Sequence, residues 1–244
     1  MKKCFDIIIS FSNLKSTNDF IINQHKFFLN PKNIIALTHN QINGRGSYGK
    51  KWFSDENSLT FSFSYKSQNL KLPREILMLT ANSILNYLKT VNICAHIKYP
   101  NDIFVGGKKI AGILVERISS PIGNFIVSGV GLNLNNKSFP NYLTNPVSVY
   151  QINNKKFSKE NVLIDLINEI TNSIELNEND KSNIKDNFLN HLHGFNNYVP
   201  CSLNGRSHKI MLKDVLDDGA MLIKIKGDNK LLKTDTKDIR FLLD

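Results

Sequence analysis

The chain has 244 residues, 41% of them hydrophobic, and a formal net charge of +10, enough for one substantial domain and a small second one. No run approaches the roughly 18 apolar residues that a membrane span needs, and the basic start MKK leads into CFDIIISF, where Asp6 breaks the apolar stretch and no small-residue cleavage site follows. These features read as a cytoplasmic protein without a membrane segment, and the widely spaced Cys4, Cys94 and Cys201, with no C-x-x-C among them, argue against a disulfide framework or a zinc site.

In chain order, Phe5–Phe11 and Ile34–Thr38 read as short strands, separated by a helix that begins near KSTND, where Ser16 or Thr17 can cap the first turn. LTFSFSY (Leu59–Tyr65) alternates apolar and polar residues and predicts a half-buried strand. Pro73 opens a helix whose apolar face carries Ile76, Leu77, Leu79, Ile84, Leu85 and Leu88. Strand candidates follow around Ala95–Lys98, Ile110–Ile118 and Phe125–Leu134, then a helical region between Ser158 and His193. Strands that alternate irregularly with helices predict an α+β fold with a mixed β-sheet and flanking helices.

From about Tyr198 the pattern changes to short strands punctuated by Asn204-Gly205, Asp218-Gly219 and Gly227-Asp228. We therefore expect a catalytic-sized domain over residues 1–197 and a small β domain over 198–244. The β domain carries nine Lys/Arg against seven Asp/Glu, so most of the excess positive charge lies in the larger part. There it is spread in pairs such as Lys50-Lys51, Lys108-Lys109 and Lys155-Lys156, which suits a solvated surface first and attraction to an acidic protein or a polyphosphate second.

The stretch GRGSYG, Gly44–Gly49, spells G-x-G-x-x-G. A dinucleotide fingerprint needs a helix after the glycines and an acidic residue about 20 positions on. Here KKWFSDENS and a strand follow, and the expected carboxylate is missing. A kinase loop fails as well, since neither a V-A-I-K-like strand nor an H-R-D motif occurs. Three glycines, Arg45 and nearby Lys50 suit instead a mobile anion-binding loop.

A second unit, KYPNDIFVGGKKIAGILVE (Lys98–Glu116), joins Pro-Asn-Asp, a Gly106-Gly107 turn, a lysine pair and small residues in an apolar strand. With KSTND (Lys15–Asp19), QINGRGSYGKKWFS (Gln41–Ser54) and GVGLNLN (Gly129–Asn135), in that order along the chain, it resembles the biotin protein ligases. DDGAMLIKI (Asp217–Ile225) is similar to a segment of that family's C-terminal SH3-like barrel. The resemblance is to members without an N-terminal DNA-binding domain.

The resemblance implies a catalytic domain like that of class II aminoacyl-tRNA synthetases plus the SH3-like module. It also implies an ATP-dependent ligase that makes biotinyl-adenylate and transfers biotin to a lysine of a biotin carboxyl carrier domain, such as that of acetyl-CoA carboxylase. Joining a carboxylate to the α-phosphate brings two anions together and needs fixed cations. By resemblance these are Lys109, between the two anions, and Arg45, in the closing loop. Asp102 matches the aspartate near the acyl-phosphate bond, where it would orient the carrier lysine, help remove its proton or help hold magnesium; the residues do not choose among these. Magnesium is implied by the triphosphate, with no dedicated protein metal site.

The biotin-binding set implied is Ser16, Thr17, Asn18, Gln41, Gly44, Arg45, Ser47, Lys109 and Gly112, neutral polar groups suiting a neutral ureido ring. The ATP set is Arg45, Lys50, Trp52, Asp102, Lys109 and Asn133. Two positions depart from the family pattern. Ser47 stands where a second loop arginine is common, so biotinyl-adenylate is expected to escape more readily, and Tyr99 replaces the usual tryptophan before Pro-Asn-Asp.

Alternative readings are a lipoate or octanoate ligase or transferase of the same fold and a non-catalytic carrier-binding protein. A biotin-responsive repressor is disfavoured, because only about a dozen residues precede KSTND, too few for a helix-turn-helix, and no DNA or membrane partner is expected. Open sheet edges permit a homodimer without requiring one.

Overall fold

The computed structural model describes residues 4–27, 33–66, 73–120, 123–179 and 182–242. The basic start, most of the YKSQNL segment, residues 180–181 of the helical stretch read from Ser158 to His193, and the last two residues lie outside them.

Two large β-sheets and a two-stranded one, Gly44–Arg45 with Lys51–Trp52, organise the described residues. The elements of the larger part are β1 (Ile7–Leu14), α1 (Thr17–Phe27), β2 (Ile34–Gln41), β3 (Gly44–Arg45), β4 (Lys51–Trp52), β5 (Leu59–Tyr65), α2 (Pro73–Thr90), β6 (His96–Lys98), β7 (Asp102–Val105), β8 (Lys108–Ser120), β9 (Gly123–Leu132), α3 (Val149–Asn153), α4 (Lys159–Asn179) and α5 (Ser182–Asn190). Seven strands form a mixed sheet in the order β1-β2-β5-β9-β8-β7-β6. β1 and β2 run parallel across the α1 crossover, and the remaining pairs are antiparallel.

Helices cover both faces of this sheet, and the period-2 alternation of its strands decides which residues meet which helix. On β2, Ile35 and Leu37 join the large core with Ile76, Leu79 and Ile84 of α2 and Leu166 and Ile170 of α4. Ile34 and Ala36 point the other way, into a smaller cluster with Ile21 of α1, Ile118 and Val127.

β5 departs from the half-buried strand that its alternation predicts, since all seven of its residues are buried. Leu59, Phe61, Phe63 and Tyr65 join the large core. Thr60, Ser62 and Ser64 are enclosed on the α1 side, where Ser64 Oγ accepts from Ile34 N (3.0 Å) and Thr60 Oγ1 donates to Thr38 O (3.4 Å). Paired hydroxyls can be buried without a large penalty, and alternation alone does not distinguish that from facing water.

The remaining strands, β10 (Tyr198–Leu203), β11 (Arg206–Val215), β12 (Met221–Ile225), β13 (Leu231–Thr234) and β14 (Ile239–Phe241), form a separate antiparallel sheet in the order β13-β12-β11-β10-β14. Its apolar side carries Cys201, Leu203, Ile210, Leu212, Ile223 and Phe241, which are continuous with the large core. Among the described residues no helix is long and apolar enough to cross a membrane.

Candidate active site

The α1 amino end, the β3–β4 hairpin, the β6–β7 turn and the middles of β8 and β9 enclose one cleft of about 280 Å³. Its floor exists because glycines face each other there: Gly112 of β8 pairs with Gly131 of β9. The indole of Trp52 lies over both, so that a Cβ on Gly131 would overlap the ring and one on Gly112 would approach Trp52 Cζ3 to 2.9 Å. Two residues along β9, a Cβ on Gly129 would overlap Asn18. These glycines are required for close approach rather than for unusual φ.

One end of the cleft is a neutral polar network. Ser16 begins α1 by accepting from Asp19 N (3.3 Å) through Oγ. Gln41 Oε1 accepts from Thr17 N (3.0 Å) and lies 3.3 Å from Thr17 Oγ1, while the Gln41 amide nitrogen is turned toward Gly44. Ser62 Oγ sits 2.6 Å from Thr17 Oγ1 and 2.5 Å from Asn18 Oδ1. Asn18 Nδ2 donates to Leu114 O (3.2 Å) and to Glu116 Oε2 (2.8 Å). Buried groups with both donor and acceptor capacity, held by one another, are suited to read a neutral ring bearing the complementary pattern.

The other end is cationic. Lys109 Nζ pairs with Asp102 Oδ1 at 2.6 Å and lies 5.2 Å from the centre of the Trp52 ring. Lys98 and Lys50 also line this end. Burial, chiefly, lowers the Lys98 ammonium below the usual lysine range; Asp102 opposes this, and the charges of Arg240, Lys109 and Lys50 add to it. A group of like charges with a single carboxylate among the cleft-lining side chains suits an oligo-anion.

The glycine stretch forms the β3–β4 hairpin with one 3-10 turn at Ser47–Gly49. The turn is closed by Gly46 N to Lys50 O (2.7 Å) and Lys50 N to Ser47 O (3.2 Å). Ser47 Oγ accepts from Asn101 Nδ2 (3.0 Å), which also donates to Ile113 O (2.7 Å), so the Pro-Asn-Asp turn and the loop are tied together. Arg45 reaches outward: its Nη2 lies 2.7 Å from Asp19 Oδ1 and 2.7 Å from Glu116 Oε2.

Of the residues singled out from sequence, Ser16, Thr17, Asn18, Gln41, Arg45, Ser47, Lys50, Trp52, Asp102, Lys109 and Gly112 all line this cleft. Gly44 adjoins it beside Gln41 and Trp52. Asn133 is placed differently. It is buried, and its amide nitrogen donates to Lys109 O (3.2 Å) and Val147 O (3.0 Å), fastening the end of β9 to the strand that carries Lys109. Sequence reasoning missed Ser62, Lys98, Glu116 and Arg240. The first three stand inside stretches already noted, but Arg240 comes from β14 and nothing local marks it.

The biotin/lipoate A/B protein ligase family model matches residues 10–133 of the chain. The chain belongs to this family. Within it, the chain is 29% identical over 130 residues to biotin–protein ligase 1, chloroplastic, of Arabidopsis thaliana, covering 50% of this chain and 35% of that protein. It is 28% identical over 140 residues to the bifunctional ligase/repressor BirA of Bacillus spizizenii, covering 54% of this chain and 43% of that protein. The matched stretch thus spans well under half of either relative. The family fold extends over nearly the whole chain: the biotin protein ligase of Aquifex aeolicus, solved in complex with biotin and ATP, superposes with a TM-score of 0.78 at 20% identity over 98% of this chain and 100% of that one.

Proposed function

We propose that this chain is a biotin protein ligase: it activates biotin with ATP to biotinyl-adenylate and transfers biotin to a lysine of a carboxyl carrier domain. The observation that carries the reading is the polarity of one cleft, with the neutral Thr17–Gln41–Ser62–Asn18 network at one end and Lys109, Lys98 and Lys50 at the other. A ureido ring, two N–H donors and one carbonyl, suits the first end. A carboxylate meeting a triphosphate suits the second.

In the first half-reaction a carboxylate oxygen of biotin attacks the α-phosphorus and the bond to the β-phosphate oxygen breaks, releasing pyrophosphate. Lys109, held by Asp102 at 2.6 Å, supplies the fixed positive charge where the two anions converge. In the second, the neutral amine of the carrier lysine attacks the acyl carbon, the acyl–oxygen bond breaks and AMP leaves. In this reading Asp102, beside Lys109, orients that amine and receives its proton, a role supported by its position in the cleft. Among the cleft-lining residues Asp102 is the one carboxylate; it would be the protein's ligand to a magnesium ion that would neutralise the triphosphate and be held otherwise by the nucleotide. The free thiols of Cys94 and Cys201 support a reducing, cytoplasmic setting.

Pyrophosphate release that requires biotin, followed by biotin appearing on a carrier domain, tests the proposal. Lipoate or octanoate offered in the same assay tests the nearest rival: preferential turnover of either acid overturns the biotin assignment. Turnover of none would favour a carrier-binding protein without catalysis.

A further inference from the structure

Besides the shared core and the Lys185–Asp214 ion pair (2.7 Å), the C-terminal sheet meets the larger part beside the cleft through the turn that joins β11 to β12. Its residues Leu216–Gly219 bond among themselves and to Ala220: Gly219 N donates to Leu216 O (2.9 Å), Leu216 N to Ala220 O (2.8 Å), and Asp218 Oδ1 accepts from Ala220 N (3.0 Å). Gly219 sits at φ +84°, which a side chain there would strain. Such a turn is a stiff projection.

Two donors from separate elements of the larger part grip it. The Tyr99 hydroxyl donates to Gly219 O at 2.7 Å. Arg74, in the first turn of α2, donates through Nη1 to Leu216 O (3.1 Å) and pairs through Nη2 with Asp217 Oδ1 (2.7 Å). Burial, with Tyr48 and Asp218 nearby, pushes the Tyr99 phenol up to about 12, so it remains a donor at any physiological pH. The Asp217 side chain is 92% exposed, so the ion pair itself contributes little; the two bonds to carbonyls carry the grip.

Tyr99 also lines the cleft, whereas Arg74 does not. Farther along the same sheet, Thr236 Oγ1 lies 3.3 Å from the hydroxyl of Tyr48 in the glycine loop. The gripped sheet therefore borders both the loop and the cationic end of the cleft.

We infer that Tyr99 and Arg74 are positioning residues that dock the C-terminal sheet on the cleft through the Leu216–Gly219 turn, and that this dock sets the affinity of the nucleotide end without altering the ring-binding end. The nucleotide part rests on the ligase reading; the dock itself does not. Tyr99 thereby has a task that a wall residue lacks, a hydroxyl aimed at a carbonyl of the other sheet.

Tyr99→Phe keeps the ring and removes the donor, and Arg74→Met acts from outside the cleft. Trp52, the only tryptophan, reports ATP and biotin binding by fluorescence. Each variant is expected to weaken ATP about three- to tenfold, the range of one lost hydrogen bond, with biotin affinity changed by less than about twofold. Equal weakening of both ligands, or of neither, overturns the link to the nucleotide end. Amide exchange at residues 216–220, followed without ligand, should quicken in both variants. Unchanged exchange overturns the dock even if the chain proves to bind neither biotin nor ATP.

Discussion

Lys109 Nζ stands 2.6 Å from Asp102 Oδ1 across the pairing of β7 with β8. The carboxylate fixes where the ammonium points, the Trp52 ring shields it on one side, and Gly112 keeps the space beside it open. Preorganised charge of this kind acts where negative charge gathers in the transition state. Lys109→Met should reduce biotin-dependent pyrophosphate release by about a hundredfold or more, while circular dichroism and the melting temperature stay near those of the parent.

The glycine pair beneath Trp52 makes a different prediction. Gly131→Ala inserts a methyl group where the indole now lies. The ring must move, and overpacking of this kind lowers stability by about 1–3 kcal/mol. The expected outcome is a folded protein with a red-shifted Trp52 emission and at least about tenfold weaker ligand binding. Unshifted emission with normal binding would show that the ring does not rest on that floor.

Ser47 brings no charge to the glycine loop, and its hydroxyl accepts from Asn101. A neutral, solvent-accessible bond of about 1 kcal/mol holds a loop less firmly than a charge on a phosphate. Ser47→Arg should therefore lengthen retention of the adenylate and reduce biotinylation of bystander lysines. Equal bystander labelling by the two proteins would remove the loop charge from the account.

Lys98 links pH to the nucleotide end. Burial above all, together with the charges of Arg240, Lys109 and Lys50, sets its folded pKa below the ordinary lysine value. Between those two values the unfolded chain keeps a proton that the folded chain has released, so the Lys98 contribution to stability rises with pH there. A bound polyphosphate favours the charged form, so binding takes up protons in the same window. ATP affinity is expected to fall as pH rises through the lowered value, earlier than an ordinary lysine would cause. Titrations from about pH 7 to about pH 10 on the parent and Lys98→Met check this; the variant should lack that alkaline limb.

Local pattern was informative where a residue's task is local. The Ser16 cap, the α2 helix from Pro73 and the strands on either side of the glycine loop all follow from short-range signals. It misled where burial depends on what packs above a strand: Thr60, Ser62 and Ser64 alternate like a solvent face but lie under α1, where Ser62 bonds Thr17 and Asn18. The capping box of α3, Ser148 with Gln151, follows an S-x-x-Q pattern that sequence reasoning missed, because so short a helix has no apolar periodicity to announce it. Arg240 was illegible for another reason. It lies on the second sheet, and its charge acts on Lys98 only because the two sheets pack together in the fold.

The most direct test of the central claim is exchange of labelled pyrophosphate into ATP, measured without any carrier protein in the presence of biotin, lipoate or octanoate. The cleft described here predicts exchange that depends on biotin, is lost in Lys109→Met, and is absent or much weaker with the other two acids. Exchange driven by lipoate or octanoate in preference to biotin, or no exchange with any of the three, would contradict it.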